Sequence, residues 1–223
     1  ATTFDAPPKA AVYRKVAFHI MPFLMLCYVA AYLDRINIGF AKLHMLNDLG
    51  FSETAYGLGA GLFFIGYLIF EVPSNLLMMR IGARRTISRI MILWAFVSAG
   101  FAFVQTPMQF YVLRFILGVA EAGFYPGVIL YLTYWFPSAR RAKMVALFVG
   151  AVPLSGMLGA PLSGTIIGMS EGLHGLSGWQ WMFIIESIPS LVLGLLCLKF
   201  LNDRPADAGW LSSDEKAAIE ADL

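Results

Sequence analysis

The 223-residue chain is 59% hydrophobic and 13% charged, with a mean hydropathy of +0.71, a balance that excludes an ordinary water-soluble domain and makes a bilayer the implied solvent. Its formal net charge of +2 is too small to recruit nucleic acid as a partner. Cys27 and Cys197 both fall inside apolar runs, so neither a disulfide framework nor a cysteine metal site follows, and each thiol reads as a small hydrophobe.

In chain order, residues 1–15 are polar and Pro-containing, with Lys9, Arg14 and Lys15 ahead of the first apolar run. They read as a short cytoplasmic leader. No secretory signal is expected, because that first run is too long for an h-region and further spans follow it. The chain opens on Ala1 rather than Met, and the native first codon is expected to lie elsewhere. Six apolar segments follow, at 16–41, 56–79, 86–104, 107–136, 142–169 and 179–200, each near or above the roughly 20 residues that a crossing helix needs. A polar loop is expected over 42–53, with Ser52 capping the helix that begins near Ala55. Pro107 suits the first turn of the fourth span, Pro137 to Arg141 breaks the pattern, and a Gly-rich loop over 170–178 leads to the sixth span. Gly156, Gly159, Pro161 and Gly164 permit close approach and a bend in span five. The polar tail, 202–223, carries Ser212-Ser213-Asp214-Glu215, the signature of a capped short helix. It reads as a cytoplasmic tail or the start of a central linker.

Basic residues fix the expected orientation. Lys9, Arg14 and Lys15 precede span one; Arg80, Arg84, Arg85 and Arg89 follow span two; Arg140, Arg141 and Lys143 follow span four; Lys199, Arg204 and Lys216 end the chain. The alternate loops hold little beyond Lys42, so both termini are expected on the cytoplasmic side. Trp135, Trp179 and Trp181 lie near span ends, where aromatic rings favour the membrane interface.

The informative residues are charges inside the spans. Asp34 and Arg35 sit within the first apolar run, and Arg114 and Glu121, seven residues apart, share one face of span four. Each such charge costs roughly 2.5–3.5 kcal/mol on insertion scales, so they mark a polar pathway more readily than packing. Arg35 and Arg114 are expected at a similar level, with Glu121 roughly 10 Å further toward the cytoplasm by helix rise. Asp34 and Glu121 would neutralise the arginines in the empty protein. An anionic substrate would then take over the guanidinium forks while a carboxylate gains a proton, which is a coupling mechanism. A purely structural salt-bridge cluster is the competing reading. Tyr32 and Asn37 are expected to help line the cavity; Tyr28, Tyr67 and Tyr125 are compatible with the same lining, although core packing is the more frequent role of an aromatic at a helical position. Glu71 reads as a helix-end or gate residue, and Glu186 as an interhelical hydrogen-bond partner or a proton carrier. His19, His44 and His174 lie at span ends or loops and offer no relay. There is no nucleophile–base pair, metal spacing or phosphate loop, so the chain reads as a non-enzyme with no cofactor.

Several motifs carry a resemblance. Arg80-Ile81-Gly82-Ala83-Arg84-Arg85 resembles the cytoplasmic signature loop of the major facilitator superfamily. Asp34-Arg35-Ile36-Asn37, the Arg114 to Glu121 spacing with Gly118 between, Tyr134-Trp135-Phe136-Pro137 with Arg140-Arg141, Gly178-Trp179-Gln180-Trp181 running on to Glu186, and Asp203-Arg204-Pro205 together resemble its anion:cation symporter family. The resemblance implies an all-α membrane protein, the amino-terminal six-helix half of a twelve-span transporter that imports an organic anion (a sugar acid, dicarboxylate or aromatic carboxylate) with protons by alternating access. It implies anion contact for Arg35 aided by Arg114, proton coupling for Asp34 and Glu121, and gating or structural roles for Arg80, Gly82, Arg84 and Arg85. The implied partners are the substrate anion, protons, the lipid bilayer and a carboxy-terminal half. The implied location is a bacterial inner membrane. An exchanger or uniporter, a transport-incompetent half or sensor, and a membrane-embedded enzyme are the alternatives. Two positions depart from the pattern: Met79 stands where the loop usually carries an acid, and Gln180 where a basic residue is common.

Overall fold

The computed structural model describes residues 9–223, all-helical among themselves; residues 1–8 of the expected leader lie outside that range. The helices are α1 (Lys9–Leu49), α2 (Glu53–Ile81), α3 (Ala83–Gly100), α4 (Pro107–Glu121), α5 (Phe124–Thr133), α6 (Ser138–Val149), α7 (Ala151–Ser170), α8 (Gly178–Phe200) and α9 (Ser213–Glu220). They make six segments long and apolar enough to cross a membrane, of which α4–α5 and α6–α7 each form one. Large apolar side chains such as Phe64, Leu68 and Val72 on α2 and Met157, Leu162 and Met169 on α7 stand exposed. That surface is ordinary toward lipid and anomalous toward water. The chain is a multi-pass membrane protein.

Local chemistry explains the helix ends. The Ser52 hydroxyl accepts from the Ala55 amide (3.1 Å), and Thr106 with Gln109 and Ser212 with Glu215 form reciprocal capping boxes. Two expected boundaries are corrected. Residues 9–15 of the expected leader are helical and continuous with α1, and 42–49 are not loop but its end. Nothing from Lys42 to Leu49 breaks a helix, and Gly50, in the left-handed region at φ 64°, stops it. The 41 residues of α1 make a rod about 61 Å long, twice the hydrocarbon thickness.

Two spans are interrupted. The fourth, read from the sequence as one helix, breaks at Ala122–Gly123, where Gly123 has φ 89°. Pro126 cannot donate to the Ala122 carbonyl and its ring excludes that carbonyl from helical geometry, so the turn is released there. The fifth breaks at Gly150, three residues before Pro153, and not at Pro161, which lies inside α7.

The packing exchanges two three-span halves. α1 packs on α7 and α2 on α4, the first span of each half against the second of the other, while the third spans, α3 and α8, pack on each other. The α2–α4 contact is closest at Gly118, where an added Cβ would collide with the Phe63 backbone carbonyl. Trp135 and Trp179 lie at span ends as expected but are buried: Trp135 stacks on Trp210 (5.7 Å), and Trp179 Nε1 donates to Asp48 (2.7 Å). Protein packing thus takes the rings that the sequence reading gave to the membrane interface.

The tail folds back on the bundle. The Tyr131 hydroxyl donates to the Asn202 carbonyl (2.9 Å) and the Arg84 amide to Asp203 Oδ1 (2.9 Å). Trp210 stacks on His19 (4.0 Å). Lys15 donates to Glu215 (2.7 Å), and Lys9 to Asp222, which fastens α9 to the start of α1.

Candidate functional site

Asp34 and Arg35 are successive residues of α1, so their side chains leave the helix about 100° apart. That angle separates them. Arg35 reaches the last residue of α4: its Nε and Nη2 donate to Glu121 Oε2 at 3.1 and 2.5 Å. The Glu121 side chain is 1% exposed and that of Arg35 35% exposed, so the pair runs from the interior to an open face. The α4–α5 break makes the carboxylate a helix-terminal one.

Arg114, buried on α4, donates through Nε to the Gly59 carbonyl of α2 (3.4 Å). Its guanidinium carbon stands 4.9 Å from the Phe63 ring centre, and that of Arg35 stands 5.6 Å from the same ring. Both guanidinium groups therefore stand within cation–π reach of one aromatic ring. The offset expected between Glu121 and the arginine level does not keep Arg35 from pairing with Glu121. Beside the pair opens a pocket of about 260 Å³ lined by Tyr28, Arg35, Phe63, Phe64, Tyr67 and Tyr125. Tyr32, expected at the substrate, does not line this pocket but sets its edge on Tyr28 (6.2 Å), which stacks on Phe148 (4.4 Å).

Asp34 lies elsewhere. It faces the bundle interior and accepts from Trp94 Nε1 (2.7 Å), Ser98 Oγ (3.1 Å) and Ser190 Oγ (2.6 Å). The expectation that it neutralises the arginines is corrected: three neutral donors from α3 and α8 hold it, and among the described residues the ion pair of Arg35 is with Glu121. Asn37, one turn on, is likewise buried on that inner side, and Glu186 of α8 accepts there from Ser163 Oγ (2.6 Å). The charges thus form two groups, one on the open face between α1, α2 and α4, the other enclosed by α1, α3, α7 and α8. Sequence reasoning did not find Phe63, Trp94, Ser98, Ser163 or Ser190; hydroxyl residues within apolar spans were the available signal.

At the signature loop, Arg80 and Arg85 are exposed, and Gly82 turns with φ 89°. Gly82 has no side chain to cap α3, and the tail's Asp203 takes that role through the Arg84 amide. Arg84 also donates to the Leu198 carbonyl (3.5 Å). Met79, in the place usual for an acid, is exposed. The backbone carbonyl of Glu71 accepts from Asn75 (2.9 Å), and its carboxylate joins no ion pair among the described residues. No cluster of three or more His, Cys, Asp or Glu fit to hold a metal occurs among the described residues.

A six-span bundle with buried charges on an open inner face has the build of a membrane transport protein. The chain belongs to the Major Facilitator Superfamily, whose family model matches residues 24–221. It is 58% identical over 208 residues to the "Putative tartrate transporter" of Agrobacterium vitis, covering 93% of this chain and 46% of that one. It is 56% identical over 213 residues to the "Putative metabolite transport protein NicT" of Pseudomonas putida, covering 96% and 49%. Its fold matches the crystal structure of a bacterial homologue of the human lysosomal transporter Spinster in an inward-facing, unoccupied conformation. That match has a TM-score of 0.72 and 19% identity, over 95% of this chain and 47% of that one. The chain spans about half the length of the curated relatives it matches.

Proposed function

We propose that the full-length protein imports an organic anion together with protons, and that the described residues form the half that carries the coupling groups. The observation that supports this best is the Arg35–Glu121 pair at the edge of an aromatic pocket. A guanidinium held by one oxygen of a buried carboxylate is poised for exchange. Protonation of Glu121 frees the Arg35 fork, and a substrate carboxylate takes its place, so the buried charge stays near zero throughout. Arg114, which shares the Phe63 ring with Arg35, adds a second positive charge for the anion. Asp34 is the second proton-coupling carboxyl, acting from the interior through the α1 backbone it shares with Arg35. Gly82, Arg80, Arg84, Arg85 and Glu71 belong to the moving rim.

The relatives' names support a small polar metabolite, and one of them names tartrate. A dicarboxylate or sugar acid suits two arginines; an aromatic acid suits the pocket wall. In this reading the bundle lies in a bacterial inner membrane with both ends of the described chain in the cytoplasm, following its Lys and Arg distribution. A second six-helix half closes the site, and the two halves rock about it.

The test is uptake by the full-length protein in proteoliposomes, with a panel of labelled organic acids, with and without an inward proton gradient. Gradient-driven accumulation of one acid, lost in Arg35→Ala and uncoupled in Glu121→Gln, is the expected result. Uptake stimulated only by internal anion makes the protein an exchanger instead. Full accumulation by both variants overturns the assignment of these residues.

A further inference from the structure

The carboxyl that this mechanism leaves unused is Glu186. It is 4% exposed, and its Oε1 accepts from Ser163 of α7 (2.6 Å), while Oε2 has no protein partner. Asn37, 1% exposed on α1, faces it with Nδ2 also unpartnered. The two sit on a ladder. α1 and α8 cross in opposite directions, Ser190 bonds Asp34, and one turn further along both helices Asn37 stands opposite Glu186. The rungs are about 5 Å apart along the axis by helix rise.

Among the described residues the ladder has no cationic partner. Glu186 is faced from α1 by Asp34 and Asn37 and from α7 by Ser163, and Asp34 is faced from α3 by Trp94 and Ser98 and from α8 by Ser190. No Lys, Arg or His forms an ion pair with either carboxyl among the described residues. Two ionised carboxylates enclosed together with no cation would be an uncompensated double charge in a low-dielectric interior. Asp34 has three donors that favour its ionised form. Glu186 has one, from Ser163, and the Asn37 amide faces it without reaching full hydrogen-bond geometry, placed to close on Oε2 when that oxygen is bare.

We propose that Glu186 is a third proton-carrying carboxyl of the transport cycle, exchanging one proton with Asp34, and that Asn37 is the positioning residue that receives the ionised Oε2. The proton on Glu186 passes to ionised Asp34 while Asn37 receives the bare Oε2; Glu186 then takes up a second proton from one side of the membrane and Asp34 releases the first to the other, so the ladder holds one or two protons and never two negative charges. The inference rests on the symport reading and extends it to the enclosed side of the bundle. It also accounts for a donor and an acceptor left open on the same rung.

The experiment uses the full-length protein in proteoliposomes with the best-transported acid from the panel above. Two signals are compared: accumulation driven by a proton gradient, and counterflow with equal proton activity on both sides. Glu186→Gln is expected to keep counterflow within about twofold while gradient-driven accumulation falls at least about tenfold, with Glu186→Asp recovering part of the loss. Ser163→Ala, which removes only the Oε1 bond, is expected to keep the proton-to-substrate ratio. A Glu186→Gln protein with the wild-type ratio overturns this inference alone. So does joint loss of counterflow and accumulation that Glu186→Asp does not rescue, since that is a structural role. A wild type that moves substrate without protons overturns the symport reading and this inference with it.

Discussion

Arg35 sends two donors to a single oxygen of Glu121, Oε2, and leaves Oε1 without a protein partner. The pair is half-engaged, and its removal is asymmetric. Arg35→Ala strands a buried carboxylate, for which a loss of about 3–5 kcal/mol is the usual scale. Thermal unfolding of the full-length protein in detergent is expected to show that loss and to recover part of it when Glu121→Gln is added. A double variant no more stable than Arg35→Ala would show that the two residues do not balance each other.

Arg35→Lys separates charge from shape. The ammonium keeps the positive charge and loses the planar two-donor fork. Apparent affinity for the transported acid is expected to fall by about tenfold while the protein melts close to wild type. Substrate concentration series beside a melting curve read both, and unchanged affinity would assign anion binding to Arg114 instead.

Gly118 sits where α4 crosses the Phe63 carbonyl of α2. Gly118→Ala has no flexible side chain to push aside, so the helices must separate, at a cost of about 1–3 kcal/mol. A lowered melting temperature is expected. The same change at Gly164, where an added Cβ meets nothing within 4 Å, is the control and is expected to have little effect.

Below pH 4.5 the tail should loosen. The Lys15 ammonium beside Glu215 holds that carboxyl below its ordinary value of 4.5, and Lys9 does the same for Asp222 below 3.8. A carboxyl depressed in the folded state stabilises it above its unfolded value, and the contribution is lost as pH falls through the folded one. Both sites are solvent-exposed, so the effect is small and screened by salt. Amide exchange across Ser213–Glu220, followed from pH 6 to about pH 3, is expected to quicken only in the acid range. Quickening that begins near neutrality would point to another group.

The six spans were legible because each is an apolar run bounded by charges or turns, and their caps were legible because Ser52, Thr106 and Ser212 stand at fixed offsets from the residues they cap. The break in the fourth span was harder to read, since Gly118 to Leu132 is apolar except for Glu121; Gly123 and Pro126 signalled it only in combination. At the site, the arginines and carboxylates were visible as charges out of place. Their pairing was not, although the 100° between Asp34 and Arg35 already forbids both from facing one cavity. Trp94, Ser98 and Ser190 look like ordinary span residues, and only tertiary packing turns them toward Asp34. Asn37 reads as a cavity amide until the face it shares with Asp34 is known.

The cap of α3 comes from a residue 119 positions later in the chain, Asp203. That distance is also a delay. At ordinary translation speeds of about 5–20 residues per second, the first turn of α3 stands without its acceptor for about 6–24 s after it is made. The remaining three spans enter the membrane in that interval, and the start of the tail closes the first half of the bundle only after the second is complete. An Asp203→Ala chain should therefore be most vulnerable while it is being born, showing its defect in the yield of newly made protein more than in the activity of the molecules that mature.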